Sequence, residues 1–198
     1  MCVTKAERTR QFIVEKTAPL FNTKGFEGTS LSDLTGATGL TKGSIYGNFA
    51  DKEELAVEAF RYAIHRARAC GKSHVDKAVS YRKKLEALLD FFGTYVMNPP
   101  VAGGCPLLNN AVEVDDHHTS MRKVVAKELE NSVNYISHLL QKGISSGEFR
   151  RGTPVKDLAY FFFCSVEGAI MMSRTMKSRE PMNAVVRQCK SIINQISK

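Results

Sequence analysis

The side chains best suited to chemistry in this sequence are five hydrogen-bond donors within one short stretch: Thr41, Lys42, Ser44, Tyr46 and Asn48. Each can donate a hydrogen bond to a phosphate or to the edge of a base. The residues around them, 29–54, read as a short helix, a glycine-containing turn and a second short helix. In helix-turn-helix proteins such a second helix lies in the major groove of DNA. The predicted chemistry is therefore binding to nucleic acid and not catalysis.

The elements that must position these side chains are marked by helix caps and a glycine turn. Ser30, with Asp33 three residues later, has the pattern of a capping box before a helix over Leu31–Thr38. Gly39 suits the turn, and Thr41 suits the N-cap of a second helix that reaches about residue 48. Apolar periodicity predicts the other helices over about residues 4–23, 51–70, 75–97, 106–114, 119–145, 154–176 and 182–196.

The predicted fold class is all-α, with two domains. Residues 1–50 form a three-helix helix-turn-helix domain that binds DNA, and residues 51–198 form a helical bundle domain that binds a ligand and dimerises. Gly25 and Gly71 are expected to end their helices. Pro19 should bend or end the first helix, because a proline removes a backbone hydrogen bond.

The charge is unevenly distributed along the chain. The net charge of +8 and the pI of about 9.3 weakly favour an acidic partner such as nucleic acid. Residues 1–60 nevertheless carry seven basic and eight acidic side chains, so the predicted DNA-binding segment is not basic overall. Its basic side chains could still cluster on one face: Lys5, Arg8, Arg10, Lys24, Lys42 and Lys52.

Cysteine usage and hydropathy favour a cytoplasmic protein. The five cysteines show no Cys-x-x-Cys spacing, so a disulfide framework is not expected. The N-terminus lacks the apolar core of a signal peptide, and no apolar run approaches the roughly 20 residues that a membrane helix needs. We therefore expect a cytoplasmic chain with no membrane partner.

Residues 154–176 are apolar almost all round the predicted helix, and such a helix must be buried on all sides. In a domain of this size, one face can pack on the core and the other on a second subunit. We predict that this helix and the final helix form a two-fold dimer interface. A two-fold dimer suits DNA recognition, because dimers read two half-sites about one helical turn apart.

Residues 25–60 resemble the DNA-binding segment of the TetR family of bacterial transcriptional regulators. The matching residues keep the family's order and spacing. They are Gly25-Phe26, Thr29-Ser30-Leu31, Asp33-Leu34, Gly39-Leu40-Thr41-Lys42-Gly43-Ser44-Ile45-Tyr46, Phe49 and Lys52-Glu53-Glu54-Leu55. The resemblance implies a homodimeric regulator, expected to be a repressor, that binds a double-stranded DNA operator and is released by a small-molecule effector or a cysteine modification. It implies no enzymatic activity, no cofactor and no metal.

The resemblance also implies roles for individual residues. The start of the first short helix would touch phosphate, the start of the second would enter the major groove, and the Tyr46 hydroxyl and Lys52 amine would hold the DNA backbone. Gly36 and Gly47 depart from the family's pattern and leave the base specificity open. The alternatives are core packing for Tyr46 and solvated charges for Lys42 and Lys52. The predicted DNA contacts are Thr29, Ser30, Thr41, Lys42, Gly43, Ser44, Tyr46, Asn48 and Lys52.

The second domain resembles a TetR subgroup that carries the motif Gly104-Cys105-Pro106-Leu107-Leu108-Asn109, followed by Glu113. Some members of that subgroup respond to oxidants or electrophiles through the cysteine. Pro106 suits the first turn of a helix, which makes Cys105 its N-cap. A thiol that faces unpaired helix N–H groups is more reactive, so Cys105 is a candidate sensor. The alternative is a small structural cap beneath a ligand pocket.

The candidate ligand or sensor residues are Cys105, Asn109, Phe91, Tyr95, Phe162, Glu167 and Met171. The aromatic and methionine side chains could line an apolar cavity, and core packing explains them equally well. Glu167, inside an apolar helix, is either a pocket or interface carboxylate or part of a narrow solvated strip.

The sequence allows three alternatives: a metal site, a thiol-dependent enzyme and a helical adaptor. The run 115–118, Asp-Asp-His-His, contains metal-ligand types, but adjacent residues diverge on a helix and no partner at i+4 completes a site. A thiol-dependent all-helical enzyme would use Cys105, yet no histidine can be assigned as its base and residues 29–54 would stay unexplained. A helical adaptor that does not bind DNA is the third possibility.

Overall fold

The computed structural model describes residues 4–114 and 119–198. These residues form nine α-helices and no β-strand, apart from one isolated bridge between Phe149 and Ser197. The predicted all-α class is confirmed. The helices are α1 (Lys5–Gly28), α2 (Leu31–Thr38), α3 (Lys42–Tyr46), α4 (Lys52–Val75), α5 (Tyr81–Tyr95), α6 (Pro106–Val114), α7 (Thr119–Ser145), α8 (Val155–Thr175) and α9 (Glu180–Ile196).

The chain divides into two compact units. The first comprises the described residues of Met1–Ala67 and Pro100–Val125, and the second comprises Arg68–Pro99 and Ala126–Lys198. The predicted boundary at residue 50 separates a DNA-binding domain from a ligand-binding domain. It concerns function and not compactness, so it stays a prediction. None of the described helices is long and apolar enough to cross a membrane.

The core of the first unit is built by α1 to α4. Ile13 of α1, Leu34 of α2 and Ile45 of α3 are fully buried, and Phe49 and Leu55 pack in the same cluster. The caps appear as predicted: the Ser30 hydroxyl accepts from the Asp33 N–H. The backbone of Gly39 is left-handed, with φ of 67°. Local sequence signals therefore place α2 and α3 over a shared apolar core.

The first helix differs from its prediction at two positions. Pro19 does not end α1. A proline cannot donate a hydrogen bond to the carbonyl of Glu15, four residues earlier, but Glu15 is exposed, so water can hydrogen-bond that carbonyl. Gly25 interrupts the helix with φ of 75°, as its cap-like position suggested, but helical turns resume through Gly28. A bent end of α1 therefore leads into α2.

The helices on either side of residue 75 also differ from their predictions. Gly71 does not end α4, which continues to Val75. Its missing side chain instead lets Phe91 approach, because a Cβ there would lie 3.2 Å from that ring. Helix α5 begins at Tyr81 and not near residue 75. Its first turn is fixed by Glu148, whose carboxylate accepts from the N–H groups of Tyr81 and Arg82 at 3.0 and 2.9 Å.

In the second unit, α9 packs against α8 and α5. One face of α8 is buried, with Phe162, Val166 and Ile170 in the core. The opposite face of α8 is exposed, although it carries large apolar side chains: Tyr160, Phe161, Met171 and Met172. The predicted helix that is apolar almost all round is therefore half covered within a single chain.

Candidate nucleic-acid interface

Helix α3 presents a polar end to solvent. Thr41, its N-cap, accepts a hydrogen bond from the Ser44 N–H at 3.2 Å and donates to the Ser44 hydroxyl at 3.2 Å. Thr41, Lys42, Gly43 and Ser44 are all exposed. A Cβ on Gly43 would contact nothing closer than 4.0 Å, so this side of the helix is open to a large ligand. The N-terminal turn of α3 can therefore approach a DNA groove closely.

The inner side of α3 fixes this surface. Ile45 is fully buried and Phe49 nearly so, and both belong to the core under α1 and α2. Tyr46 and Asn48 are half-buried, and the Asn48 amide donates to the Ser44 carbonyl at 2.9 Å. The short helix therefore keeps its orientation through buried contacts and not through its own length.

Arg10 of α1 holds the residues that follow α3. Its guanidinium lies over the Phe49 ring, 4.2 Å from the centroid, and donates to the Asn48 carbonyl. It also pairs with Glu54 at 2.7 Å, and Glu54 in turn accepts from the Ala50 N–H. The sequence suggested that Arg10 could join a basic cluster facing DNA. In the structure its guanidinium instead contacts the residues that follow α3 and stabilises them. No local sequence pattern could have revealed this contact, because the partners are about 40 residues apart along the chain.

Thr29 and Ser30 differ in how well they suit a phosphate contact. Thr29 is fully buried and its hydroxyl donates to the Gly25 carbonyl at 2.6 Å, so its predicted side-chain contact with phosphate is wrong for this conformation. Ser30 is exposed, but its N–H and hydroxyl both donate to Asp33, at 2.9 and 2.8 Å. The start of α2 is thus already capped by a carboxylate of the chain itself.

Two of the candidate basic residues are also engaged. Lys24 pairs with Asp33 at 2.6 Å. This hydrogen bond, followed by those from the backbone and hydroxyl of Ser30, lowers the pKa of Asp33 to about 2. The Lys52 amine lies over the Phe26 ring, 4.4 Å from its centroid, at the first turn of α4. Lys42 remains the exposed cation at the open end of α3.

Comparison with known proteins places this geometry in a family. A model described as bacterial regulatory proteins, TetR family, matches residues 13–59, and a tetracyclin repressor-like, C-terminal domain model matches residues 82–189. A TetR-family transcriptional regulator from Cytophaga hutchinsonii has a crystal structure that superposes with a TM-score of 0.93, at 38% identity over 100% of this chain and 98% of that one. The chain belongs to the TetR family.

Two more distant relatives agree with this assignment. The transcriptional repressor DhaR from Mycobacterium sp. (strain GP1) is 26% identical over 175 residues, which span 88% of this chain and 86% of that protein. The TetR-family regulator CifR, solved in complex with double-stranded operator DNA, has the same fold, with a TM-score of 0.82 at 23% identity over 91% of this chain and 94% of that one. This TetR-family chain is therefore a DNA-binding transcriptional regulator and not an enzyme.

The candidate ligand residues of this TetR-family chain are divided between its two units. Phe91 and Tyr95 are buried in the second unit, with their rings edge to face and 5.5 Å apart. Phe162 is buried there too and lines a small apolar cavity with residues of α5, α7 and α9. Glu167 is 8% exposed, whereas Met171 is 52% exposed and does not line the interior of a single chain.

Cys105 and Asn109 belong to the first unit of the TetR-family chain. Cys105 is 5% exposed and directly precedes α6, as a cap would. Asn109 donates to the Asn22 carbonyl on α1 at 2.8 Å, so its amide is engaged by protein and not directed at a ligand. The described residues contain no group of three potential metal ligands, and the run 115–118 lies outside them.

Proposed function

We propose that this TetR-family regulator is a homodimeric repressor that places α3 of each protomer in the major groove of its operator. The observation that carries the proposal is the open polar turn Thr41–Ser44, which the buried Ile45 and Phe49 hold in place. The predicted contacts that fit are Thr41, Lys42, Gly43, Ser44, Tyr46, Asn48 and Lys52, whereas the Ser30 N–H already donates to Asp33.

The test is binding of the purified chain to DNA from upstream of its own gene, followed by fluorescence anisotropy at several salt concentrations. We expect specific binding that weakens steeply with salt, because each phosphate contact releases counterions. Lys42→Ala should reduce the slope of log affinity against log salt by about 1.8, because the homodimer loses two phosphate contacts at about 0.9 each. Lys77→Ala, at an exposed lysine on the connection between α4 and α5, is the matched control and should change nothing. Salt-independent binding, or equal effects of the two variants, would contradict the proposal and favour an adaptor.

Tyr46 is tested separately, because it is half-buried and could serve the core alone. Tyr46→Phe removes only the hydroxyl, so a phosphate contact predicts a loss of about fivefold in operator affinity with an unchanged unfolding temperature. Unchanged affinity would remove Tyr46 from the DNA contacts and leave it a packing role.

The proposed dimer interface is the exposed apolar face of α8 together with the start of α9. A groove on this surface is lined by small and flexible apolar residues of both helices, among them Gly168, Met172, Ala184 and Val185. Soluble monomers rarely leave such a continuous apolar surface in water. A two-fold copy of α8 and α9 covers it and sets the distance between two α3 helices.

We infer further that an effector or a modification of Cys105 shifts the repressor to a form that binds DNA weakly. Phe91, Tyr95, Phe162 and Glu167 are the candidate effector residues, and native mass spectrometry of the purified protein should reveal a bound small molecule. Their second unit carries the apolar cavity that a ligand could enlarge.

The motif around Cys105 is the reason to test a thiol sensor. An alkylating electrophile should lower operator affinity in the wild type and have no effect in Cys105→Ser. Cys70, which is partly exposed, reports general thiol reactivity, whereas burial raises the pKa of Cys189 to about 11 and should keep it unreactive. Labelled Cys70 with unlabelled Cys105 would reject the sensor and leave Cys105 a structural cap.

A further inference from the structure

The bent end of α1 is tied to α6 by two side chains one helical turn apart. In a continuous helix the Phe26 N–H would donate to the Asn22 carbonyl. Here the Phe26 N–H donates to the Glu113 carboxylate at 2.8 Å, and the Asn22 carbonyl accepts from the Asn109 amide at 2.8 Å. Asn109 and Glu113 therefore satisfy the two groups that the break at Gly25 separates.

The Glu113 carboxylate and Gly25 require each other. The second carboxylate oxygen accepts from the Glu27 N–H at 3.1 Å, so both oxygens hold the backbone directly after the break. Gly25 has φ of 75°, and a Cβ there would lie 2.6 Å from Glu113 Oε1. Only glycine gives both the backbone conformation and the room for the carboxylate.

The loop before α6 is held at the same place. The Asn22 amide donates to the carbonyls of Ala102 and Gly104, at 2.7 and 3.1 Å, and the Asn109 amide also donates to Gly103 at 3.0 Å. Gly103 has φ of 104°, and a Cβ there would lie 2.5 Å from the Asn22 carbonyl oxygen. We call Asn22, Asn109 and Glu113 the α1–α6 clasp.

The clasp lies at the entrance to the DNA-reading helices. Only Gly28 and Thr29 separate its backbone partner Glu27 from Ser30, the N-cap of α2. The Thr29 hydroxyl closes this short connection by donating to the Gly25 carbonyl at 2.6 Å. A movement of α6 that pulls on Glu113 must therefore act on the start of α2, and through the α2–α3 turn on α3.

The buried core under α3 contains none of the three clasp residues, although Phe26, whose N–H Glu113 accepts from, packs against its edge. Its members, from Ile13 to Ala59 with the partly buried Tyr62, come from the first four helices and the residues between them. Loss of the clasp should therefore leave the helix-turn-helix folded while its orientation becomes variable. This separates positioning from stability.

We propose that Asn109 and Glu113 are positioning residues for DNA binding: α6 holds the bent end of α1 through them and so fixes the orientation of α2 and α3. The inference rests on the proposed function of α3 as the DNA reader. It assigns Asn109, a candidate ligand contact from the sequence motif, to the coupling of α6 with the DNA-binding helices.

The test uses the full-length chain and a series of operators whose two half-sites differ in spacing by one base pair at a time. Asn109→Ala and Glu113→Ala should each weaken binding to the native spacing by about tenfold, the size expected for a lost buried or charged hydrogen bond. Both should also reduce the preference for the native spacing, because α3 is no longer held in one orientation. A variant that only lowered the folded fraction would weaken binding to every spacing equally.

The control lies on the same helix. Asn110 donates to the Pro106 carbonyl within α6, so Asn110→Ala should keep both affinity and spacing preference. Glu113→Gln keeps the shape and one acceptor oxygen, and should restore part of the affinity. Hydrogen exchange should be faster at the Phe26 and Glu27 amides in Glu113→Ala, with unchanged protection in the core around Leu34 and Ile45.

The outcomes are distinguishable. A wild type that does not bind the operator overturns the proposed function, and with it this inference. A wild type that binds, with clasp variants within twofold of it at every spacing, overturns the inference alone. If Glu113→Ala fails to fold, the comparison of Glu113→Gln and Asn109→Ala with Asn110→Ala decides in its place, and an unchanged spacing preference there has the same meaning.

Discussion

Two exposed surfaces of this protein differ in what they are made of. The open end of α3 exposes Thr41–Ser44, which are small or polar residues in a segment with almost no net charge. The outer face of α8 exposes Phe161 and Met172, each 47% accessible, beside other apolar side chains. Binding by a surface of few polar groups depends on where each group lies, whereas binding by an apolar surface depends on the total area that it buries. The two should therefore fail in different ways.

The largest effect is expected from a charge on the apolar surface. Phe161→Asp places a carboxylate at the proposed dimer interface, where it would be desolvated without a partner. We expect a monomer by sedimentation equilibrium, and a loss of operator affinity of about 100-fold, because one half-site then binds alone.

Val79→Asp is the control for this change, because Val79 is 98% exposed on the connection between α4 and α5. It should leave both dimer and affinity intact. Cys164, exposed in the isolated chain within the α8 groove, should be alkylated faster in Phe161→Asp than in the wild type. A dimeric Phe161→Asp with slow Cys164 labelling would place the interface elsewhere.

A smaller effect is expected behind α3. Arg10→Gln removes the contact with Phe49, the hydrogen bond to the Asn48 carbonyl and the pair with Glu54. We expect a loss of about 1–2 kcal/mol of unfolding free energy, mostly from the first two contacts, because a half-exposed ion pair contributes little. Operator affinity should fall by about fivefold while the dimer stays intact.

The control for Arg10 is Arg61, which makes an exposed ion pair with Glu58 at 2.8 Å on α4. Arg61→Gln should change neither stability nor affinity measurably. Equal behaviour of the two arginine variants would mean that the polar surface of α3 does not need support from α1, and the contrast between the two surfaces would lose its basis.

The parts of the fold that the sequence predicted are those built by neighbours along the chain. The capping box of Ser30 and Asp33, the left-handed Gly39 and the Thr41 cap all involve residues within four positions of each other. The start of α5 carries one local signal that was missed, the Ser80 cap, whose hydroxyl accepts from the Lys83 N–H; its other partner, Glu148, lies 67 residues from Tyr81. Gly71 was misread because its reason is a close ring on another helix, Phe91, and not a helix end.

The residues of the candidate site show the same difference between partners that are close along the chain and partners that are distant. The exposed turn of α3 follows from the caps and from the burial of Ile45, so the sequence could place Lys42 and Ser44 on it. The burial of Thr29 and the pairing of Asn109 with Asn22 could not be read from either segment alone, because the partners come from different helices or from a bend. The spacing of Asn109 and Glu113, four residues apart on a helix, was the one local signal that they act on the same partner.

The smallest effect is expected from the pH dependence of stability at the start of α2. The lowered pKa of Asp33, from 3.8 to about 2, means that its ionised form is favoured in the folded protein. This contribution is complete above about pH 4 and is lost as the pH falls towards 2, because protonation breaks the bonds to Lys24 and Ser30.

Asp33→Asn should therefore flatten the decline of unfolding free energy over this interval, measured by circular dichroism in urea. Its size will be small, because Lys24 and Asp33 are partly exposed to water. Glu148→Gln provides the contrast in the second unit: burial raises the pKa of Glu148, but hydrogen bonds from the N–H groups of Arg82 and Tyr81 and from the hydroxyls of Ser146 and Ser80 together lower it by more. The ionised form therefore stabilises this unit too, and Glu148→Gln should likewise reduce the loss of unfolding free energy as the pH falls. If Asp33→Asn leaves the acid profile of the wild type unchanged, the cap of α2 is not among the individually placed groups on which the DNA-reading surface depends.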